Sequence, residues 1–272
     1  MRKQKQCLCK VIVCLTLLLS MMPITTVCAK ADFNTDAYIN IDESYVYDGG
    51  CCDYNASASS GKNVSQMDEY SGYDYVIDSY NVQINVNEDN TFDITENINV
   101  YFNQARHGIY REIPLVNTVY RIDGTVSKNR AKVSNVSVSE QSSKSKTSDM
   151  YCIQIGSENV TVTGEKEYTI KYTYDIGADP LKNADEFYFN IIGSGWTSPI
   201  GGITFTINMP KKFDVRKLGF SAGYGGIFGT DKVEYEVNGN TITGGYNGII
   251  SPLEGLTVRL ELPEGYFTHR ID

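Results

Sequence analysis

Hydrophobic and polar side chains alternate in two neighbouring runs, residues 80–86 (YNVQINV) and 91–102 (TFDITENINVYF). A period of two is typical of a β-strand with one buried face. The intervening residues 87–90 (NEDN) have turn chemistry, so the two runs predict a β-hairpin. The hydrophobic positions on its predicted inner face are Val82, Ile84, Val86, Phe92, Ile94, Ile98, Val100 and Phe102.

Short runs of the same kind recur to the end of the chain. They cover residues 132–138, 151–155, 159–163, 167–174, 187–192, 203–208, 232–237, 240–243 and 256–262. They are rich in Val, Ile, Thr, Tyr and Phe, and a sustained helical period is missing, so the sequence predicts an all-β fold, an antiparallel β-sandwich. Residues 141–148 (QSSKSKTS) are predicted to form a solvated loop between strands.

The β-pattern occupies only part of the chain. Residues 1–29 have the basic start, short apolar run and small-residue cleavage site of a signal peptide, with an uncleaved anchor as the alternative. Residues 30–72 are rich in Asn, Asp, Ser, Gly and Tyr and predict a polar spacer. Residues 73–268 form the predicted β-sandwich domain, which is long enough for two packed modules, 73–177 and 181–268.

Charge and cysteine content agree with an exported protein. Loss of residues 1–29 removes four basic side chains and no acidic one, which leaves 20 basic and 33 acidic residues and a net charge near −13. This balance disfavours nucleic acid and anionic lipid as partners. The three remaining cysteines, Cys51, Cys52 and Cys152, do not form a disulfide framework. A second apolar run of membrane-spanning length is not found, so no transmembrane segment is expected in the mature chain.

The densest group of functional side chains is the stretch RHGIYREIPL, residues 106–115. As a binding site, it would place Arg106 and Arg111 on an anion or polyol, with His107, Tyr110 and Glu112 beside them. As a structural turn, Gly108 would allow a sharp bend, and the arginines would pair with acidic residues such as Asp185 or Glu186. The sequence leaves both interpretations open.

A second group follows in residues 184–199 (ADEFYFNIIGSGWTSP), which contain Asp185, Glu186 and the single tryptophan, Trp196. An exposed Trp196 would stack on a sugar or contact a partner, whereas a buried one would close the core of the sandwich. The predicted ligand-binding residues are therefore Arg106, His107, Tyr110, Arg111, Glu112, Asp185, Glu186 and Trp196.

Catalytic chemistry has little support in the sequence. No Ser, Cys or His lies in a recognisable nucleophile motif, and the second histidine, His269, is almost at the C-terminus. We therefore predict no catalytic residue, metal or cofactor. The enzymatic alternative is a cell-wall glycan hydrolase that uses Glu112 and Glu186 as paired carboxylates.

Four ordered segments together resemble a known family. They are residues 80–115, 151–177, 185–200 and 253–267, and they resemble the extracellular domain of the bacterial predicted membrane proteins known as domain of unknown function 2207. The resemblance implies a signal peptide, a β-rich domain outside the cell and membrane helices after it. This sequence ends five residues after Phe267, so the resemblance leaves a secreted form, a truncated gene or an anchor supplied by a partner. The resemblance assigns no activity to His107, Arg111 or Trp196.

These observations lead to one expectation about function. The chain is expected to be a secreted or surface-associated binding module of the bacterial envelope, with an envelope glycan or another surface protein as partner. The alternatives are the glycan hydrolase and an architectural domain that positions membrane machinery.

Overall fold

The computed structural model describes residues 63–226 and 230–268, and this part of the chain is all-β, as predicted. Its strands are β1 Tyr75–Val86, β2 Thr91–Arg106, β3 Ile109–Pro114, β4 Val116–Tyr120, β5 Val126–Arg130, β6 Lys132–Val138, β7 Ser142–Lys146, β8 Met150–Ile155, β9 Val162–Asp175, β10 Ala184–Ile192, β11 Ile203–Asn208, β12 Leu218–Gly223, β13 Val233–Asn238, β14 Thr241–Tyr246 and β15 Gly255–Pro263. The described helical segments are short 3-10 turns: Val64–Gln66, Asp68–Tyr70, Val215–Lys217, Tyr224–Gly226 and Thr230–Lys232.

The strands form one large sheet and three small ones. The seven-stranded sheet has the order β13-β14-β11-β1-β2-β9-β6. The small sheets are β10-β15-β12, β3-β8-β7 and the hairpin β4-β5. Pairing is antiparallel except between β1 and β11, which run parallel. Because β1 and β11 are neighbours, strands from both sides of the predicted module boundary share one sheet.

The predicted hairpin is the centre of the large sheet and is confirmed as strands β1 and β2. Its turn depends on Asn90, which has a φ of 63°, a conformation that Asn tolerates better than most residues. The Asn90 side chain is buried and donates a 2.8 Å hydrogen bond to the carbonyl oxygen of Gly177. The turn is therefore fixed both by its own backbone and by the loop after β9.

The core lies between the inner face of the large sheet and the small sheets. Phe92 of β2 packs edge to face on Phe187 of β10, with ring centres 5.2 Å apart. Phe205 of β11 packs on Phe220 of β12 at 5.3 Å. All eight hydrophobic positions predicted for the inner face of the hairpin are at most 4% exposed. Most of the outer face of the large sheet is exposed to solvent.

Two local predictions differ from the structure. Residues 141–148 are not simply a loop, because Ser142–Lys146 forms β7 at the edge of the β3-β8-β7 sheet. An edge strand that is polar on both faces carries no hydrophobic alternation, so its sequence resembles a loop. The predicted strand at 159–163 begins later, because β9 starts at Val162 after a bridge between Ser157 and Val160.

A short segment before β1 covers one end of the outer face. Val64 and Tyr70 are buried there against Val76, with Tyr101 packed beside them. Ser65 fixes the segment through its backbone N–H and its hydroxyl, which donate to the two carboxylate oxygens of Asp78 at 2.7 and 2.5 Å. Residues 63–73 therefore pack against the sheet.

Candidate functional site

The arginine in the middle of the RHGIYREIPL stretch takes part in a buried ion pair. Arg111 lies on β3 and reaches across the core to Glu96 on β2. Its Nε and Nη2 atoms donate to the two carboxylate oxygens of Glu96 at 2.8 and 2.7 Å. The side chains are 6% and 1% exposed. This two-bond geometry is the strong form of the arginine–carboxylate interaction, and here it joins the two layers of the sandwich.

Two tyrosines complete the hydrogen bonding of Glu96. The hydroxyls of Tyr80 on β1 and Tyr172 on β9 each donate to one carboxylate oxygen at 2.8 Å. Burial by itself would raise the pKa of the Glu96 carboxyl, but the Arg111 charge and the hydrogen bonds from Arg111, Tyr172 and Tyr80 lower it below its usual value. Burial raises the pKa of both phenols well above the normal value. The cluster therefore holds one carboxylate, one guanidinium and two neutral phenols.

Trp196 lies on the same cluster. Its ring centre is 5.9 Å from the guanidinium carbon of Arg111, within the range of a cation–π contact. Tyr80 packs edge to face on the same ring at 5.7 Å. Trp196 is 4% exposed, so the indole closes the core around the ion pair and has no surface on which a sugar could stack.

The other predicted site residues of the stretch are exposed to solvent. Arg106 pairs with Asp74 at 2.7 Å, with both side chains 45% exposed. The Nδ1 atom of His107 lies 3.1 Å from the carbonyl oxygen of Ser157. Tyr110 is 57% exposed, and Glu112 is also exposed. Alternation along β3 thus separates Arg111 from its exposed neighbours, and the predicted site divides into a buried and an exposed part.

The bend between β2 and β3 requires glycine at two positions. Gly108 has a φ of +124°, and a Cβ atom placed on it would lie 1.8 Å from the carbonyl oxygen of Ile155. Gly156 has a φ of +132°, and its Cβ would lie 1.9 Å from the carbonyl oxygen of His107. The two backbones are therefore in reciprocal close contact, which supports the structural interpretation of Gly108.

Asp185 and Glu186 belong to a different place in the fold. Glu186 on β10 is fully buried between Arg121 and Arg259, whose nitrogens lie 3.1 and 2.6 Å from its carboxylate oxygens. Asp185 accepts a 2.7 Å hydrogen bond from the backbone N–H of Phe267. The possible pairing of Arg111 with Asp185 or Glu186 is therefore wrong, since Glu96 is the partner of Arg111.

This arrangement also bears on the hydrolase hypothesis. Glu112 is exposed on β3, whereas both carboxylate oxygens of Glu186 face arginines in the core. Paired catalytic carboxylates must reach the same glycosidic bond, and a fully buried, doubly paired Glu186 does not reach a substrate.

Among the described residues, no group of three or more His, Cys, Asp or Glu side chains is arranged to hold a metal ion.

Sequence reasoning missed the central residue of the buried cluster, Glu96. The signal was present in the hairpin pattern, because Glu96 occupies an inner-face position between Ile94 and Ile98. A carboxylate on the buried face of a strand needs a cationic or multiple hydrogen-bonding partner. Arg111 also falls on the buried face of its strand, between Ile109 and Ile113.

The outer face of the large sheet carries an ordered array of polar side chains. Residues directly opposite each other on paired strands point to the same face, and the strand register places them in three rows across six strands. We call these eighteen residues the polar face. The rows are Thr169, Asn97, Asn81, Thr204, Gly245 and Glu234; Lys171, Thr95, Gln83, Thr206, Thr243 and Glu236; and Thr173, Asp93, Asn85, Asn208, Thr241 and Asn238.

The centre of the polar face contains little charge. Strands β2, β1, β11 and β14 contribute twelve of its positions, and Asp93 is the one charged side chain among those twelve. The twelve are exposed or half-buried. Solvent-facing strand positions are usually rich in Lys, Glu, Arg and Asp. A run of Asn, Gln and Thr over four adjacent strands is therefore an unusual surface on an acidic protein.

A cavity of about 480 Å³ lies at the β13–β14 end of this face. Glu234, Glu236 and Thr243 of the polar face line it, together with Tyr235 and the backbone at Gly245. Gly245 and its neighbour Gly244 are tightly packed, because a Cβ on Gly245 would lie 2.8 Å from the carbonyl oxygen of Ile203. Gly245 therefore contributes backbone, and no side chain, to the lining of the cavity.

These features define a mostly antiparallel, two-layered β-domain in which the buried Arg111–Glu96 pair joins the large sheet to a small one. The family described as predicted membrane protein (DUF2207), N-terminal domain, matches residues 76–262, and the chain belongs to this family. The resemblance drawn from the four sequence segments is thereby confirmed. Within the described part of the chain, no helix is long and apolar enough to cross a membrane.

Comparison with other proteins adds little to the family match. No curated protein matches the chain in sequence. Among solved structures, a mutant of a two-domain M1 zinc metallopeptidase bound to L-tryptophan is similar, with 10% identity, a TM-score of 0.34, and 68% of this chain and 43% of that chain covered. The M1 zinc metallopeptidase from Deinococcus radiodurans gives 10% identity, a TM-score of 0.33 and coverages of 68% and 42%. This chain therefore spans less than half of the length of those proteins.

Proposed function

We propose that this chain is an exported binding module of the cell envelope and that its ligand contacts the polar face. The observation that carries the proposal is the register of the large sheet, which aligns amide and hydroxyl side chains in three rows over adjacent strands. The buried cluster around Glu96 and Arg111 has a supporting role, because it fixes the layer that presents this face.

The amides and hydroxyls of the polar face are already held in place. Asn81 donates to Thr204 at 2.8 Å, and Thr169 donates to Asn97 at 2.9 Å. Asn208 donates to Asn85 at 2.8 Å and accepts from Thr241 at 2.9 Å. Side chains whose rotamers are fixed before binding lose less entropy when a ligand arrives. A rigid, hydrogen-bonding surface of this kind favours a binding module over a merely architectural domain.

The binding proposal is tested by co-sedimentation of the purified full chain with washed envelopes from the cells that express it. Thr206→Arg puts a long charged side chain in the middle row of the polar face, whereas Ser143→Arg puts the same side chain on the exposed edge strand β7. We expect the wild type and Ser143→Arg to sediment with the envelopes and Thr206→Arg to remain in solution. Equal retention of both variants, or no retention of the wild type, contradicts the proposal.

Export is tested separately by expression of the full chain in a bacterial host. The signal-peptide pattern of residues 1–29 leads us to expect a mature N-terminus at Lys30 and recovery outside the cytoplasm. N-terminal sequencing of the recovered protein checks both expectations. A chain that retains Met1 and stays in the cytoplasm contradicts this part of the proposal.

A further inference from the structure

We infer that the ligand of the polar face is a neutral, hydroxyl-rich polysaccharide that lies across the strands and extends towards the cavity at β13 and β14. This inference rests on the proposed function and adds the chemical class of the ligand.

The charge of the polar face favours a neutral ligand. The central twelve positions carry one carboxylate, Asp93, and no cation, while Lys171, Glu234 and Glu236 lie on the flanking strands β9 and β13. An anionic polymer needs clustered positive charge, and the polar face has only Lys171. A neutral polymer is complementary to the centre because eleven of its twelve positions carry no charge, and the Asp93 carboxylate already accepts hydrogen bonds from Asn87 and Thr173.

The amides of the polar face have hydrogen-bonding capacity to spare. A primary amide has two N–H donors and a carbonyl oxygen with two lone pairs. The cross-strand bond from Asn81 to Thr204 uses one donor, and the Asn97 carbonyl accepts one bond from Thr169. Each of these amides therefore retains a donor and an acceptor for a ligand. Sugar hydroxyls also donate and accept, so they match a surface that offers both on neighbouring strands.

The composition of the face argues against a protein partner. Stable protein interfaces have a core enriched in aromatic residues, Met and Arg, and a few such residues carry most of the binding energy. The twelve central positions contain none of these types. The face is thus poor in the anchors that a protein partner would require.

Shape supports an extended ligand. Residues along one row lie on adjacent strands about 4.8 Å apart, so a row of four central strands presents polar groups over roughly 14 Å. The row through Asn81 ends at Gly245 and Glu234, where the cavity of about 480 Å³ opens. Tyr235 lines this cavity and is 41% exposed. The ring of Tyr235 packs on Phe220 of β12, on the other side of β13 from Glu234 and Glu236, so the cavity offers a terminal sugar the two carboxylates.

The test is affinity electrophoresis of the full chain in native gels that contain one polymer each. The neutral probes are dextran, a soluble β-1,3-glucan and hydroxyethylcellulose, and the charged comparators are polygalacturonate and chitosan. We expect retardation by at least one neutral polymer. Retardation by the charged polymers alone, or by none of the five, overturns the inference.

The matched variants remove one hydrogen-bonded pair each. Asn81→Ala with Thr204→Ala takes an amide–hydroxyl pair from the polar face, and Gln154→Ala with Ser143→Ala takes the same kind of pair from β8 and β7. The first double variant is expected to bind the neutral polymer roughly tenfold more weakly, because two binding groups are lost. The second is expected to stay within about twofold of the wild type. Equal binding by the first variant and the wild type overturns the inference.

Two further outcomes separate the inference from the proposed function. Envelope binding that is lost in Thr206→Arg, combined with no retardation by neutral polymers, overturns the polysaccharide and leaves the binding module in place. Light scattering that shows a dimer of the wild type and a monomer of Asn81→Ala with Thr204→Ala also overturns the inference, because the face would then join two copies of this chain.

Discussion

The guanidinium carbon of Arg111 lies 5.9 Å from the centre of the Trp196 ring, and both side chains are almost fully buried. Arg111 comes from the RHGIYREIPL stretch and Trp196 from the loop after β10, so two of the segments that carry the family resemblance meet inside the core. Glu96 and Tyr80 complete this contact. The meeting point joins the two layers of the sandwich, and the ligand surface is to be sought elsewhere.

Removal of one partner of the buried ion pair is expected to be strongly destabilising. Arg111→Met leaves the Glu96 carboxylate buried without its cation, and the two tyrosine hydroxyls cannot replace a charge. The free energy of unfolding is expected to fall by about 3–5 kcal/mol. Urea unfolding followed by tryptophan fluorescence measures this, since Trp196 lies on the cluster.

The double variant Glu96→Leu with Arg111→Met is the control for that measurement. It removes both charges, so no uncompensated ion remains in the core, and most of the lost stability is expected to return. A double variant as unstable as Arg111→Met alone would show that the unpaired charge is not the cause, and that lost packing and the Tyr80 and Tyr172 hydroxyls left without their acceptor outweigh it.

The two aromatic residues predicted for the ligand site are expected to respond differently to truncation. Trp196→Ala opens a cavity in the core, so it is expected to lower the free energy of unfolding by about 3–5 kcal/mol. Tyr110 is 57% exposed on β3, and Tyr110→Ala is expected to change stability by no more than about 0.5 kcal/mol. Thermal and urea unfolding of both variants check this. Comparable losses in the two variants would contradict the assignment of Trp196 to the core and Tyr110 to the surface.

The hairpin shows how far the hydrophobic pattern predicts this fold. Its two strands, its turn and its eight inner hydrophobic positions follow from the period of two between residues 80 and 102. Pairing between β1 and β11 does not follow, because partners distant in the chain are chosen by tertiary packing and leave no local pattern. The strand β7 was missed for a similar reason, since its side chains contact mostly solvent.

The candidate site was harder to predict than the fold. Residues Arg106 to Glu112 are neighbours in sequence, but alternation along β3 sends Arg111 into the core and leaves Tyr110 and Glu112 outside. The polar face was not predicted, because the hydrophobic half of each alternating run identifies a strand but does not indicate what its opposite face binds. The outward positions of residues 80–86 and 203–208 are all Asn, Gln or Thr. This absence of charged side chains was the feature of the sequence that could have indicated the polar face.

Asp179 is expected to make stability depend on pH in mildly acidic solution. Burial raises the pKa of its carboxyl from 3.8 to about 6, against the effect of the backbone N–H bonds from Leu181 and Glu186. Between these two values the folded state holds a proton that the unfolded state has released. The contribution of Asp179 to stability is therefore present below pH 3.8 and is lost as the pH rises through about 6.

Comparison with Asp179→Asn isolates this effect, because the other titrating groups are common to both proteins. The free energy of unfolding, measured with urea in steps from pH 4 to pH 7, is expected to fall in the wild type relative to the variant as the pH rises. A difference between the two that stays constant over this range would show that Asp179 has a normal pKa.

Glycine at position 108 is expected to be indispensable for the bend between β2 and β3. Gly108→Ala places a Cβ 1.8 Å from the carbonyl oxygen of Ile155 at a φ of +124°, so the strand pair must move apart. The free energy of unfolding is expected to fall by roughly 3 kcal/mol or more, because backbone strain and the clash add together.

Gly124→Ala is the matched control, because Gly124 also has a positive φ, +81°, but no atom near its added Cβ. Its expected loss is about 1–2 kcal/mol, from backbone conformation alone. Urea unfolding of the two variants measures the difference, and equal losses would mean that the close contact with Ile155 contributes nothing.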